Sequence, residues 1–172
     1  MGIDPSPSPA GADTGEAAAA TRRKPSERRI LAHDHRAIEH VVGRVETTAE
    51  IVGTLTTPDL ASALRNLLDT VERSFGPHLE WEEKTCFAQI DGMAGTAWAT
   101  RILRVQHDQI QEAFSALERD WRALHGEVTH RQLTDLRAHL YRLHALMSAH
   151  LEQEELALIP FLEAEGRGPA AH

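Results

Sequence analysis

A histidine followed four residues later by a glutamate occurs twice in the chain, within HLEWEE and HLEQEE, and each pair could bind a metal ion. The pairs are His78 with Glu82 and His150 with Glu154. Residues four apart on an α-helix lie one turn apart on the same face, so both side chains of a pair can reach one ion. Imidazole and carboxylate together suit iron, with manganese or zinc as alternatives.

Two single histidines complete this pattern, and the whole set repeats at a fixed distance. His35 precedes His78 by the same 43 residues that separate His107 from His150. Every member of the first set recurs 72 residues later. The offset extends to apolar positions that cannot be ligands, including Ile38 and Ile110, Leu64 and Leu136, and Leu68 and Leu140. We therefore interpret the chain as two related helical hairpins.

Four apolar stripes, in steps of three and four residues, predict the long amphipathic helices that position these side chains. The helices are expected to start near residues 26, 57, 96 and 129, and Thr57 with Pro58 indicates the second start through a capping hydroxyl followed by proline. Gly76 and Pro77 lie inside the second stripe, whose apolar phase continues on both sides, so one bent helix is expected there. Four helices with short links indicate an all-α, up-down-up-down four-helix bundle.

The ends of the chain lack this periodicity. Residues 1–25 are rich in Pro, Ala, Gly and Ser and are predicted to be a disordered N-terminal tail. Residues 26–165 are assigned to the bundle, and residues 166–172 to a C-terminal tail. The chain is thus predicted to contain one folded domain.

Composition limits the classes of partner. A formal net charge of -8 and a pI near 5.7 argue against nucleic acid or an anionic membrane surface. No stretch approaches the roughly 18 consecutive apolar residues of a membrane span, and the N-terminus has no apolar signal core, so we expect a cytoplasmic protein. The single cysteine, Cys86, excludes an internal disulfide framework and a Cys-rich metal site.

Six candidate metal ligands lie on stripes that must face the bundle interior: His35, His78, Glu82, His107, His150 and Glu154. An unpaired buried carboxylate costs several kcal/mol, and metal ions would supply the compensating charge. A structural zinc site takes four ligands, so six ligands fit two ions better. In one arrangement His35 and His78 bind one ion, the other two histidines bind the second, and the glutamates bridge. Such ions keep an open position for a small ligand.

The order H, HxxxE, H, HxxxE, formed by these six residues, resembles that of the hemerythrin-like (HHE cation-binding) family over about residues 29–164. The resemblance implies a four-helix bundle around a non-haem diiron centre, with two Fe ions and a bridging oxo or hydroxo group. It also implies a role in oxygen carriage, oxygen or iron sensing, nitric oxide handling, or defence against peroxide or nitrosative stress.

The chain departs from the oxygen-carrying members at two positions. Carriers have a second histidine four residues after the one on the third helix, where this chain has Gln111, and they end with HxxxxD, where this chain has His150 and Glu154. The carriers' three-against-two histidine asymmetry is therefore missing. Symmetric coordination argues against reversible oxygen carriage and favours redox chemistry on oxygen, peroxide or nitric oxide.

The sequence accordingly favours a diiron protein that binds or reacts with O2, H2O2 or NO, with catalase-like peroxide removal as one activity. A non-enzymatic iron or oxygen sensor, carrier or store is the alternative, and a bundle with a structural zinc or manganese ion is a third reading. The expected partner is a small diatomic or peroxide ligand, with a homodimer or a separate protein chain left open. No catalytic side chain is predicted beyond the metal centre.

Four neighbours of the two pairs carry further predictions. Phe75 and Met147, each three residues before a pair histidine, are expected to pack in the core and keep the site dry, and they could also line a small-molecule pocket. Glu83 and Glu155, each about 100° further around the helix than the preceding glutamate, are expected outside the ligand set or at the surface.

Overall fold

The computed structural model describes residues 27–158, with side chains from His35 onward except that of Ala99. No strand occurs in this part of the chain, which confirms the predicted all-α fold. Its helices are α1 (Glu27–Ile51), α2 (Thr57–Trp81), a first π-helical turn (Glu82–Cys86), α3 (Phe87–Ala94), α4 (Trp98–Arg122), α5 (His130–Gln153) and a second π-helical turn (Glu154–Leu158). The first π-helical turn joins α2 to α3 without a break, and the second continues α5. These elements therefore make four long helical rods: α1, α2 to α3, α4, and α5 with the second π-helical turn.

The four rods form a closed bundle in which α1 packs on α2 and α5, and α4 packs on the same two helices. Side chains connect neighbouring helices: Arg137 Nε donates to the carbonyl of Ala49, and Trp121 Nε1 donates to the carbonyl of Ala61 at 3.0 Å. Residues 52–56 and 123–129 are short links, and short links require antiparallel neighbours. The result is the up-down-up-down arrangement expected from the sequence.

Local sequence signals explain the helix boundaries. Thr129 begins α5 with a capping box, in which its hydroxyl accepts from the Gln132 backbone N–H and the Gln132 side chain accepts from the Thr129 N–H. The predicted cap of α2 was wrong by one residue: Thr56, rather than Thr57, accepts from the backbone N–H of Asp59. Gly95 ends α3 with a φ of 65°, a conformation that glycine adopts without a Cβ clash.

The expected continuity of the second helix is present, since α2 runs through Pro77 to Trp81. Among residues 27–158, no helix is both long and apolar enough to cross a membrane. The two predicted tails lie outside the described residues.

Two apolar clusters flank the polar interior of the bundle. The larger cluster contains most of the apolar residues that are related by the 72-residue offset. Three of them, Leu64, Leu136 and Leu140, are at most 1% exposed. The smaller cluster lies beyond the two HxxxE pairs along their helices. Its buried members are Cys86, Phe87 and Ile90 after the first pair, Leu158 after the second pair, and Leu103 from α4. The two pairs therefore lie between apolar layers that limit the access of water.

Candidate metal centre

All six candidate ligands project into the bundle interior at one level. α1 contributes His35 and α4 contributes His107, while α2 and α5 each contribute a histidine and the first residue of the π-helical turn that follows. None of the six is more than 6% exposed: His35 2%, His78 4%, Glu82 0%, His107 6%, His150 0% and Glu154 0%. We refer to these six residues as the His/Glu cluster.

The Glu82 carboxylate faces three of the imidazoles. Its Oε2 lies 3.2 Å from Nε2 of His107, 3.4 Å from Nε2 of His150 and 3.6 Å from Nε2 of His78. These rings come from three different helices, so Glu82 lies where α2, α4 and α5 meet.

The Glu154 carboxylate makes the equivalent set of contacts on the other side. Its Oε2 lies 2.8 Å from Nε2 of His35 and 3.5 Å from Nε2 of His78, and its Oε1 lies 2.8 Å from Nε2 of His150. His78 and His150 therefore contact both carboxylates, whereas each remaining histidine contacts one of the two.

Four of the residues are close enough together to bind one metal ion. One atom each from His78, Glu82, His150 and Glu154 can be chosen so that all lie within 4.8 Å of one another. The remaining rings flank this group, with ring centroids 5.4 Å apart for His35 and His78 and 4.7 Å apart for His107 and His150. The arrangement follows the pseudo-twofold repeat of the sequence.

Most polar atoms in the cluster have no hydrogen bond among the described residues. These are both ring nitrogens of His35, His78 and His150, together with Glu82 Oε1 and both carboxylate oxygens of Glu154. Two contacts of Glu154, to Nε2 of His35 and to Nε2 of His150, are 2.8 Å long and bring groups of opposite charge together. Each buried polar atom without a partner costs about 1–3 kcal/mol, so the cluster needs a further partner. Divalent cations fit, because every group offers a nitrogen or oxygen lone pair.

The electrostatics of the cluster favour opposite charges inside it. Burial disfavours the charged form of His150, but Glu154 and Glu82 outweigh burial and raise the pKa of His150 to about 9. The pKa of His35 is also raised, because contact with Glu154 outweighs its burial. For Glu154, burial is outweighed by His150, His35 and His78, which hold its pKa well below the ordinary range. Without metal, the raised pKa values of His150 and His35 favour protonated imidazoles beside the Glu154 carboxylate, and a metal ion would displace those protons.

A hydrogen-bonded chain outside the cluster fixes His107. Nδ1 of His107 lies 3.0 Å from Oε1 of Glu83, and the other carboxylate oxygen of Glu83 pairs with Arg104. Arg104 also pairs with Asp91 at 3.2 Å, and Asp91 accepts a hydrogen bond of 2.7 Å from the Thr100 hydroxyl. Glu83 thus contacts His107 from outside the His/Glu cluster, which is one of the two positions expected for it, and such partners orient a metal-binding imidazole.

The equivalent contact at His35 is looser. Oε1 of Glu155 lies 3.8 Å from Nδ1 of His35, beyond hydrogen-bond distance, and the Glu155 side chain is 53% exposed. The two halves of the cluster therefore differ in how their single histidine is supported, although their sequences repeat.

The two π-helical turns were not predicted from the sequence. In the first, the N–H of Phe87 donates to the carbonyl of Glu82, five residues back, and the second turn starts 72 residues later at Glu154. A wider turn reduces the angle between successive side chains, so Glu82 and Glu83 can both contact His107. π-helical turns within α-helices occur frequently at functional sites. Both turns start inside the repeated motif HLExEE. The spacing of the apolar residues around this motif does not show that each turn is one residue wider than an α-helical turn.

Comparison with known proteins gives a match to a protein family. A family model described as hemerythrin HHE cation binding domain matches residues 26–162, a span that includes the whole His/Glu cluster. No curated protein and no solved structure matches the chain.

Proposed function

Since the chain belongs to the hemerythrin HHE cation-binding family, we propose that its His/Glu cluster binds two iron ions and that the loaded protein reacts with a small oxygen or nitrogen species. The observation that carries this proposal is the convergence of six buried donor groups from four helices, most of them without a hydrogen bond. Four imidazoles and two carboxylates suit iron, with manganese or zinc as competitors.

The proposed ligand assignment follows the ring pairs. His35 and His78 would bind one ion and His107 and His150 the other, with Glu82 and Glu154 between them. In support of this assignment, each carboxylate contacts at least one histidine of each pair. The two ions would then have equal sets of protein ligands, each with two imidazole nitrogens and two carboxylate oxygens.

Bound iron would supply the electrons for reduction or reversible binding of O2, NO or peroxide. The residues of this chain would limit the access of water, hold a ligand histidine in place and supply negative charge. The apolar clusters on both sides limit water around the site. Glu83 would accept the Nδ1 proton of His107, which would leave the Nε2 lone pair free to bind an ion located between His107 and Glu82. The two carboxylates supply negative charge that stabilises the bound cations.

A reaction is favoured over oxygen carriage because α4 contributes one histidine, His107, to the cluster, where the carriers' third long helix contributes two. Gln111, one turn after His107, is exposed and lines a surface cavity instead of joining the cluster. Both ions would therefore keep equal histidine ligation, which offers no preferred end-on position for oxygen. Removal of peroxide is the first activity to test.

Rapid mixing of reduced, iron-loaded protein with O2, NO or H2O2 tests this proposal. Oxidation that does not reverse when oxygen is removed, together with conversion of many equivalents of H2O2 to O2 and water, would support an oxidoreductase; in that conversion a second H2O2 returns the electrons taken by the first. Oxygenation that reverses when oxygen is removed would instead identify a carrier or sensor. Iron that binds but reacts with none of the three would favour a storage role and contradict the proposed reaction.

A further inference from the structure

A cavity of about 150 Å³ lies between α2 and α4, directly beside the His/Glu cluster. Its floor consists of Val71, Phe75 and Ile110, which are buried and have no polar side-chain atom. Apolar cavities of about 150 Å³ are known to bind xenon or small hydrocarbons. The floor therefore suits a small uncharged molecule that needs no hydrogen bond.

The opposite side of the cavity reaches the protein surface. Glu72, Gly76 and Gln111 line it there, and all three are exposed. The cavity thus connects solvent at its polar rim to apolar side chains at its floor. A small molecule can enter it without any change in the bundle.

Phe75 separates this cavity from the candidate metal ligands. Its ring centroid lies 5.7 Å from that of His78 and 5.8 Å from that of His150, and the residue is 1% exposed. These two histidines are the ones that contact both carboxylates. Movement of this one ring would connect the cavity with the centre of the cluster.

The helix next to Phe75 is less constrained than a regular helix. Pro77 has no N–H to donate to the carbonyl of Arg73, which removes one backbone hydrogen bond from this turn. Gly76 has no side chain, and no heavy atom lies within 4 Å of the position that a Cβ would occupy. The turn that carries Phe75 therefore lacks one backbone hydrogen bond and has no side chain at Gly76 that would oppose a small shift of the helix on its cavity side.

We propose that this cavity is the entry site for an uncharged diatomic molecule, dioxygen or nitric oxide, and that Phe75 is the barrier between it and the iron ligands. The inference rests on the proposed function, because it concerns the route to the same iron site. Peroxide is predicted to enter elsewhere, since the floor offers none of the hydrogen bonds that peroxide would lose on leaving water.

Xenon tests the cavity without any reaction at iron. Crystals of the metal-loaded protein under xenon pressure should show xenon beside Val71, Phe75 and Ile110. Gly76→Leu should remove it by filling the cavity. Gly43→Leu is the matched control, because Gly43 is also an exposed helical glycine with no heavy atom within 4 Å of its Cβ position, and it does not line the cavity. Absence of xenon from the unmodified protein, or equal occupancy in both variants, would overturn the proposal.

Stopped-flow kinetics on the reduced, iron-loaded protein test the route. Gly76→Leu should slow the reactions with O2 and NO by about tenfold or more relative to Gly43→Leu, because entry would then require displacement of the new side chain. The rate with H2O2 and the iron content should be the same in both variants. Equal rates with O2 and NO in the two variants would contradict the entry route, as would an equal slowing of peroxide.

The two proposals fail in different ways. If none of the three oxidants reacts with the unmodified protein or with Gly43→Leu, the proposed function is wrong and the entry route is wrong with it, whether or not xenon binds. If they react at rates that Gly76→Leu does not change, only the entry route is wrong.

Discussion

Nδ1 of His107 lies 3.0 Å from Oε1 of Glu83, while Nε2 of the same ring lies 3.2 Å from Oε2 of Glu82. Two adjacent glutamates thus contact opposite nitrogens of one imidazole. Arg104 pairs with Glu83 and keeps its carboxylate in place. The ring orientation is therefore set from two sides, by Glu82 inside the cluster and by Glu83 outside it.

Replacement of Glu83 by glutamine should weaken metal binding. Loss of a carboxylate that supports a ligand histidine typically costs about 10–100-fold in metal affinity. Competition with a coloured chelator measures the affinity of both sites. Glu155→Gln is the matched control and should have a smaller effect, because Glu155 is 3.8 Å from His35 and half exposed. A larger loss in Glu155→Gln would contradict the role assigned to Glu83.

Metal should stabilise the fold. A ligand that binds only the folded state contributes about 2.7 kcal/mol at a free concentration of 100 times Kd. For a chain of this length, that corresponds to a rise in Tm of roughly 5–10 °C for each site. Differential scanning calorimetry with and without a chelator measures it. Glu154→Ala should show no such rise, and an equal rise in that variant would argue against binding at the cluster.

The metal-free protein should lose stability between pH 6.5 and 9. His150 has its pKa raised to about 9 and His35 also has a raised pKa, so their contribution is complete below the unfolded value of about 6.5 and is lost as pH rises through the folded values. Glu154 has a lowered pKa, so its contribution is present above about 4.5 and is lost as pH falls through the folded value. Thermal melts of metal-free protein should therefore show a maximum between about pH 4.5 and 6.5.

Metal affinity should have the opposite pH dependence. Binding requires neutral imidazoles and releases protons, so affinity should rise across the range in which the metal-free protein loses stability. Isothermal titration calorimetry with Zn2+ in buffers of different ionisation enthalpy counts the protons released. Proton uptake, or an affinity that falls as pH rises from 6.5 to 9, would be inconsistent with ligation by His35 and His150.

Restoring the carriers' histidine at position 111 should not create an oxygen carrier. Gln111 is exposed at the rim of the cavity, and Phe75 lies between that cavity and the cluster. Gln111→His should therefore leave the iron content and the absorption spectrum unchanged, as should Glu112→His, an exposed neighbour on the same helix. Reversible oxygenation in Gln111→His alone would show that the side chain can reach the iron.

The bundle and the positions of the six residues could be predicted from the sequence because two independent patterns coincide. The apolar stripes place each helix face, and His35 and His107 fall in phase with those stripes at the same 72-residue offset as the HxxxE pairs. An interior position and a common level in the bundle follow from these two patterns. The structure brings the six residues together, and their ligation of metal remains the proposal to be tested.

Other features could not be predicted, for identifiable physical reasons. A π-helical turn changes a hydrogen-bond register by one residue without changing residue types, so the sequence around Glu82 and Glu154 reads as ordinary helix. The cap of α2 is an exception, because Asp59 stands three residues after Thr56 and that capping-box spacing already indicates Thr56 rather than Thr57. The cavity beside Phe75 depends on packing between helices distant in sequence.

Binding of two iron ions by the His/Glu cluster is the proposal on which the reaction and the entry route both depend. It can be tested by iron analysis together with an absorption spectrum of protein expressed in iron-supplemented medium. We expect about two irons per chain, with the near-ultraviolet bands of a bridged diiron centre, and loss of both in His78→Ala and in Glu154→Ala. One zinc ion or no metal per chain, with the fold and the spectrum unchanged by those substitutions, would contradict it.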